Sequence, residues 1–334
     1  MKRFFIVLAV SLIGGLWGPG DTLAPVGSSS PAVPLAPLVP EDSLGSSTLL
    51  FTGDILLDRG VRQFTDHFGA DRLFSPSIDS LLADADIVVG NLECPATTIT
   101  SPSFKRFVFR AEPEWLDVLK RHGFTHLNLA NNHSIDQGRS GLMDTQQNIL
   151  RAGMTPVGAG HDMAVATQPV LLTSIPCPVY LLSSCRLPLE NYAYLPDQPC
   201  VSQESLDSLL NRIATLKAAE PRAVIIVNLH WGAEHAMNPL PQQRMEAHRI
   251  IDAGADALIG HHTHTLQPTE YYRGKLICYG IGNFIFDQQK PQNSHAAVVK
   301  IQVVDDSVDC SVIPIEIRRC VPDIIKLATL GSEE

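Results

Sequence analysis

Apolar residues along this chain fall into short runs that stop, again and again, at glycine or a polar side chain. Residues 48–52 predict a strand ending at Gly53-Asp54, and residues 87–89 a second ending at Gly90-Asn91. A helical period over 114–121 precedes a strand at 126–129, which ends at Asn131-Asn132-His133. Another helix over 141–152 leads to a short strand near Pro156-Val157, and 170–172 and 179–182 read as antiparallel neighbours. A helix over 203–219 comes before the strongest strand, 223–229, which ends at His230. A helix over 244–253 then precedes a strand at 257–259, ending at Gly260-His261-His262. Strands at 295–304 and 308–317 close the chain as a hairpin around Asp305-Asp306. Strand alternating with helix, plus some antiparallel pairs, predicts one α/β domain with mixed sheets over residues 48–334.

The first 47 residues break this pattern. Met1-Lys2-Arg3 is basic, and residues 4–17 form an almost unbroken apolar run, shorter than the ~20 residues of a comfortable bilayer span. Together with the small residues Thr22 and Ala24 it reads as a secretory signal over 1–24, with an uncleaved anchor as the second reading. Cys94 is the first cysteine, so a lipoprotein anchor at the end of this segment is excluded. Residues 25–47 alternate proline with serine and read as a tether that orders no core of its own.

Export changes the reading of the seven cysteines, since disulfides become permitted and the odd count leaves one thiol over. A pair among Cys177, Cys185 and Cys200 is expected, and Cys310–Cys320 is a second candidate. The formal net charge of -10 argues against a nucleic-acid partner, which needs clustered Lys and Arg. An anionic substrate must therefore meet a local positive patch or a metal ion.

The candidate chemistry lies where the strands end. Asp54, Glu93, Asn132, His133, His230, His262 and His264 each fall just beyond an apolar run, and carboxyl ends of strands form the ligand crevice of open α/β sheets. Taken singly, Asp54 is a turn or cap residue, Asn131-Asn132 a turn, and one histidine a satisfied structural group. Three imidazoles within residues 261–264 are costly to place without a partner, and the mixture of imidazole with carboxylate suits zinc, manganese or iron. Lys105 and Arg106 read as an ordinary charged strand face.

These residues also carry a family resemblance. Gly53-Asp54, Asn91-Leu92-Glu93, Phe109-Arg110-Ala111, Ala130-Asn131-Asn132-His133 with Asp136-Gln137-Gly138, His230-Trp231-Gly232-Ala233-Glu234, Gly260 to His264 and Tyr279 to Asp287 follow one another as in the CapA/PgsA poly-γ-glutamate capsule synthesis family. The resemblance spans about residues 48–317. It implies a role in capsule or poly-γ-glutamate biosynthesis at the cell envelope, and the four-layer α/β/β/α sandwich of calcineurin-like metallophosphatases. It further implies one or two divalent ions (manganese, zinc or iron) held by Asp54, Glu93, Asn132, His230, His262 and His264. His133 is then the catalytic histidine, Glu234 orients His230 or a water, and Arg110, Asn91 and Asn283 meet the substrate. That substrate is an anionic polymer or a phosphorylated envelope intermediate, with membrane-bound capsule synthesis proteins as partners. Two departures stand out: Leu56 replaces the histidine usual two residues after the first Asp, and Asn91 replaces an Asp, leaving Glu93 as the candidate bridge. A non-catalytic assembly scaffold with a remnant metal site is the competing reading.

Overall fold

The computed structural model describes residues 45–189, 192–288, 290–305 and 307–325. The segment 1–24 and the tether up to residue 44 lie outside the described residues. Strand β1 (Ser46–Ile55) begins inside the expected tether, because Ser46 and Ser47 pair with Val304 and Val303, and it runs through Asp54 rather than stopping before it. Chain order then gives β2 (Ile87–Leu92), β3 (His126–Asn128), β4 (Thr155–Val157), β5 (Ala159–Gly160), β6 (Val170–Thr173), β7 (Val179–Cys185) and β8 (Cys200–Val201). The remainder are β9 (Val224–His230), β10 (Ala257–His261), β11 (Thr269–Tyr272), β12 (Lys275–Cys278), β13 (Asn283–Ile285), β14 (His295–Val304), β15 (Ser307–Arg318) and β16 (Val321–Ile324). The closing hairpin therefore gains a third strand, β16, beyond the expected end.

Two mixed sheets result. One is ordered β16-β15-β14-β1-β2-β3-β4, with β13 also paired to β1, and the other β11-β12-β10-β9-β7-β6. The inner strands β1 to β4 are parallel, as are β7, β9, β10 and β12, so each sheet presents several carboxyl ends on one side. The antiparallel partnership of β6 and β7 is the one their sequence predicts.

Three cores define four layers. Leu49, Phe51, Val89, Ile226, Ile259 and Val299 fill the space between the sheets. Val61, Ile78, Leu82, Leu116 and Leu142 bring helices onto the outer face of the first sheet, and Leu209, Ile213, Ala247 and Ile250 do so for the second. This is the α/β/β/α sandwich. Helix starts shift where local chemistry dictates. Ser205 caps its helix by accepting from Ser208 N, so that helix is Leu206–Ala219, and Pro241 opens the first turn of Pro241–Asp252.

The expected disulfides are absent, since the cysteines are all thiols. Cys310 lies within β15 and Cys320 just past its end, ten residues along a nearly extended chain at ~3.3 Å each, far beyond disulfide reach. Cys177 packs between the sheets and Cys185 in the outer core of the first sheet, while Cys200 belongs to the β5–β8 ribbon. No helix among the described residues is long and apolar enough to cross a membrane.

Candidate metal centre

Two glycines let the strand ends close on one another. A Cβ at Gly53 would lie 2.2 Å from Gly282 O, and one at Gly260 only 2.0 Å from Tyr279 O, so both motifs need glycine for backbone to meet backbone. Beyond β10 the chain is bent sharply, with His262 at φ 87° and His264 at φ 54°. A left-handed backbone at non-glycine residues costs of order 1–3 kcal/mol and persists where surrounding structure enforces it. Here it turns two imidazoles back toward the end of β1.

The structure brings Asp54, Glu93, Asn132, His230, His262 and His264 together, all buried. Ligand atoms of Glu93, His230 and His262 lie within 4.8 Å of one another, as do those of Asp54, Glu93 and His264. Glu93 is thus common to both groups, and Asn132 Oδ1 joins the first at 2.8 Å from His230 Nε2. His264 Nδ1 sits 3.2 Å from Asp54 Oδ2, and Glu93 Oε1 lies 3.6 Å from His230 Nε2 and 3.8 Å from His264 Nε2. Both Glu93 oxygens, His262 Nδ1 and His261 Nε2 are buried without a hydrogen bond. Uncompensated burial of an ionised carboxylate costs several kcal/mol, which a divalent cation held by these residues would offset. The donor set of carboxylates, imidazoles and one amide oxygen fits one or two such ions of the zinc, manganese or iron kind.

The protonation tendencies follow from the same crowding. Burial opposes ionisation of Asp54, but hydrogen bonds from His261 and His264 outweigh it and hold the carboxyl well below the usual carboxylate range. Burial pushes Glu93 well above that range, with the charge of His264 only partly offsetting it. Burial also resists a charge on His264, yet the carboxylates of Glu93 and Asp54 lift it to about 9. Burial, then the neighbouring His264, drives His262 down to about 3, and burial with His262 lowers His230 well below its ordinary value. His230 and His262 are thus held neutral, as metal ligation requires, while His264 would have to give up its proton to an incoming ion.

His133 stands beside this cluster with its orientation fixed. Its Nδ1 lies 2.8 Å from Asp136 Oδ2, which assigns the ring proton to Nδ1 and leaves Nε2 for chemistry. Lys105 Nζ reaches Asp136 Oδ1 at 2.5 Å and the Asn132 carbonyl at 2.9 Å, with only 3% of its side chain exposed. Lys105 is therefore no surface residue of a strand face, which corrects the sequence reading. Its chain neighbours Phe104 and Arg106 are exposed, so nothing local in the sequence marks it. Asn131 is likewise a structural hub, its Oδ1 accepting from His133 N at 3.0 Å and Ser134 N at 2.9 Å.

The three residues assigned to substrate each have partners within the fold. Asn91 is fully buried, donating to Asp54 Oδ1 at 2.8 Å and accepting from Asn128 Nδ2 at 2.8 Å, so it braces a ligand. Asn283, also fully buried, holds His264 Nδ1 at 2.9 Å. The Arg110 guanidinium is spent on both oxygens of Glu112 and on Thr97 O, away from the cluster. Glu234 is exposed and does not orient His230, whose ring nitrogens face Asn132 and Asn91 instead. Leu56 lies buried in the core between the first sheet and its helices. Cys94 accepts from Leu57 N at 3.4 Å, and burial pushes its thiol far up, as for an inert core residue.

Comparison with known proteins assigns the chain. It is 30% identical to the PGA biosynthesis protein CapA of Bacillus subtilis over 88% of this chain and 77% of that protein. It is 31% identical to the capsule biosynthesis protein CapA of Bacillus anthracis, over 82% of this chain and 68% of that one. A probable polyglutamine synthesis accessory protein of Mycobacterium tuberculosis shares 29% identity over 72% of this chain and 75% of its own length. Among solved structures, the sulfate thiohydrolase SoxB of Thermus thermophilus overlaps 80% of this chain and 56% of its own at 12% identity, with a TM-score of 0.44. Residues 48–288, from β1 through the metal centre to the loop after Asn283, match the bacterial capsule synthesis protein family PGA_cap, and the chain belongs to that family.

Proposed function

We propose that this capsule synthesis protein is a metal-dependent hydrolase that acts at the cell envelope on an anionic γ-linked glutamate polymer. The observation that carries the reading is Glu93: a buried carboxylate without a hydrogen bond, common to two groups of metal-competent side chains. Divalent ions held there would supply Lewis-acid polarisation of a carbonyl or phosphoryl oxygen and would acidify water. Asp54, Glu93 and His264 would hold one ion, and Glu93, Asn132, His230 and His262 the other.

The chain's own residues do the rest. Asn91 and Asn283 lock Asp54 and His264 in place. Asp136 keeps the His133 ring proton on Nδ1, so Nε2 is the atom that would take up the proton released by the attacking water and return it to the leaving nitrogen or oxygen. Lys105 neutralises Asp136, which keeps the imidazole from being held permanently as the cation. The net charge of -10 disfavours nucleic acid as substrate, and the family's capsule role favours membrane-bound synthesis proteins as partners. The apolar amino-terminal run would hold the domain at the membrane or direct its export.

The test is chain-end release from γ-linked polyglutamate by the manganese- or zinc-loaded protein, beside a chromogenic phosphodiester and the His133→Ala variant. Turnover of the polymer that is lost in the variant supports the proposal. Turnover of the phosphodiester alone moves the substrate to a phosphorylated envelope intermediate. No turnover of either by a fully metal-loaded protein overturns the enzymatic reading in favour of an assembly role.

A further inference from the structure

A further imidazole stands at the edge of the metal centre. His235 lies in the loop that follows His230, and neither ligand group includes it. Its ring centroid is 6.2 Å from that of His264, which is 6.2 Å from that of His262, itself 4.9 Å from that of His230. His235 is half-buried and the other three are buried, so this row of rings ends with His235 nearest solvent. His262 lies within electrostatic reach of both His133 and His235, so both border the same ligand.

The chain holds His235 firmly. Its φ of 62° is left-handed, a conformation that costs of order 1–3 kcal/mol at a residue other than glycine. Its backbone N–H donates to Thr263 O at 2.8 Å, and Ala236 O accepts from Thr265 Oγ1 at 2.7 Å and from Gln267 Nε2 at 2.8 Å. The loop after β9 is thereby stitched to the loop that carries His262 and His264.

Asn293 then decides which nitrogen of the His235 ring bears the proton. Its Nδ2 lies 2.7 Å from His264 O and 3.1 Å from His235 Nδ1. A backbone carbonyl can only accept, so the amide nitrogen must face it, and the second amide hydrogen serves His235 Nδ1. This orientation leaves Asn293 Oδ1 without a donor, but the flipped amide would set oxygen against oxygen. Nδ1 is therefore an acceptor, the ring is neutral, and its proton is assigned to Nε2. His133 is the opposite tautomer, with the proton on Nδ1 and Nε2 bare. His235 Nε2 itself meets no hydrogen-bond acceptor among the described residues.

A neutral imidazole N–H is a poor acid but a good hydrogen-bond donor, suited to polarising an oxygen on which negative charge develops. Resting on the hydrolase reading above, we propose that His235 Nε2 donates to the substrate oxygen that becomes the oxyanion, while His133 Nε2 handles the proton of the attacking water. The two imidazoles divide the work because Asn293 and Asp136 hold them in opposite tautomers.

Nitrogen NMR of the isotope-labelled full chain, metal-free and zinc-loaded, reads the tautomer: at neutral pH His235 should show a protonated Nε2 and a bare Nδ1. His235→Phe identifies its signals. Calorimetry with inorganic phosphate on the zinc-loaded protein reads the donor without turnover. His235→Phe keeps a ring but no donor and should bind phosphate about tenfold more weakly, whereas His235→Gln, which retains an N–H, should stay within about threefold of the wild type. Both variants should keep the wild-type zinc content. With a hydrolysable substrate, His235→Phe should lower kcat by about 100-fold and leave KM nearly unchanged. An Nδ1-protonated ring, phosphate affinity unchanged in His235→Phe, or zinc lost from that variant overturns the donor role. Phosphate binding that weakens in His235→Phe and recovers in His235→Gln, in a protein that hydrolyses nothing, leaves the donor standing and overturns the hydrolase reading alone.

Discussion

Replacing Glu93 by glutamine should reverse the usual sign of a core substitution. In the metal-free protein the carboxylate is fully buried, has no hydrogen bond on either oxygen, and is pushed by burial well above its ordinary pKa. Glutamine has the same shape and no charge to desolvate, though its amide leaves one or two polar atoms unsatisfied, at about 1–3 kcal/mol. The metal-free variant should therefore match or exceed the wild type in stability. With metal the order inverts. Each saturated site at about 100 times its Kd adds about 2.7 kcal/mol, so two sites add about 5 kcal/mol. In a domain of this size that raises Tm by roughly 10–20 °C. Because Glu93 belongs to both ligand groups, Glu93→Gln should lose nearly the whole increment, while His262→Ala and His264→Ala each lose about half. Scanning calorimetry of chelator-treated and manganese- or zinc-loaded protein reads all three. A wild-type Tm indifferent to metal, or a Glu93→Gln variant that keeps the full shift, would refute the reasoning.

Other outcomes follow from the same geometry. His264, lifted to about 9 against an ordinary 6.5, gives the metal-free fold stability that is complete below pH 6.5 and lost as pH rises through about 9. Since a ligand histidine must be neutral, metal affinity should tighten about tenfold per pH unit across that window, measurable by competition with a chromophoric chelator; a flat profile contradicts it. Lys105→Met breaks a buried pair and should cost about 3–5 kcal/mol in denaturant unfolding. The surviving protein should show its His133-dependent activity limb moved to higher pH, because burial, the main cause that lowers that imidazole, is no longer joined by the Lys105 charge. Arg110→Ala should leave affinity for polyglutamate unchanged within about twofold and cost about 1 kcal/mol of stability, since its partially exposed guanidinium serves Glu112; a tenfold loss of affinity would return Arg110 to the substrate.

The strands and their polar ends were legible because period and punctuation are local. β1, β2, β9 and β10 deliver Asp54, Glu93, His230 and His262 from hydrophobic runs that end in glycine or histidine. Strand length was less legible: β1 continues through Asp54 because Gly282 and Ile285 bond to it from 230 residues away in the chain, roughly. The division between ligands and the groups that brace them was not legible at all. Asn91 and Asn283 sit in the same motifs as the ligands, and only the packing shows that their amides face Asp54 and His264. Lys105 hid for the opposite reason, lying between exposed neighbours while its own side chain runs inward to Asp136. The cysteines misled because spacing in sequence says nothing of direction, and β15 carries Cys310 away from Cys320.

Metal content of the purified full chain, by elemental analysis after growth or dialysis with manganese, zinc and iron, tests the central claim most directly. The two ligand groups that share Glu93 predict two ions per chain, and none in a His262→Ala/His264→Ala/Glu93→Gln variant that still folds. A wild-type protein that holds no metal under any of these supplements would contradict the account and leave a capsule-assembly protein in place of a hydrolase.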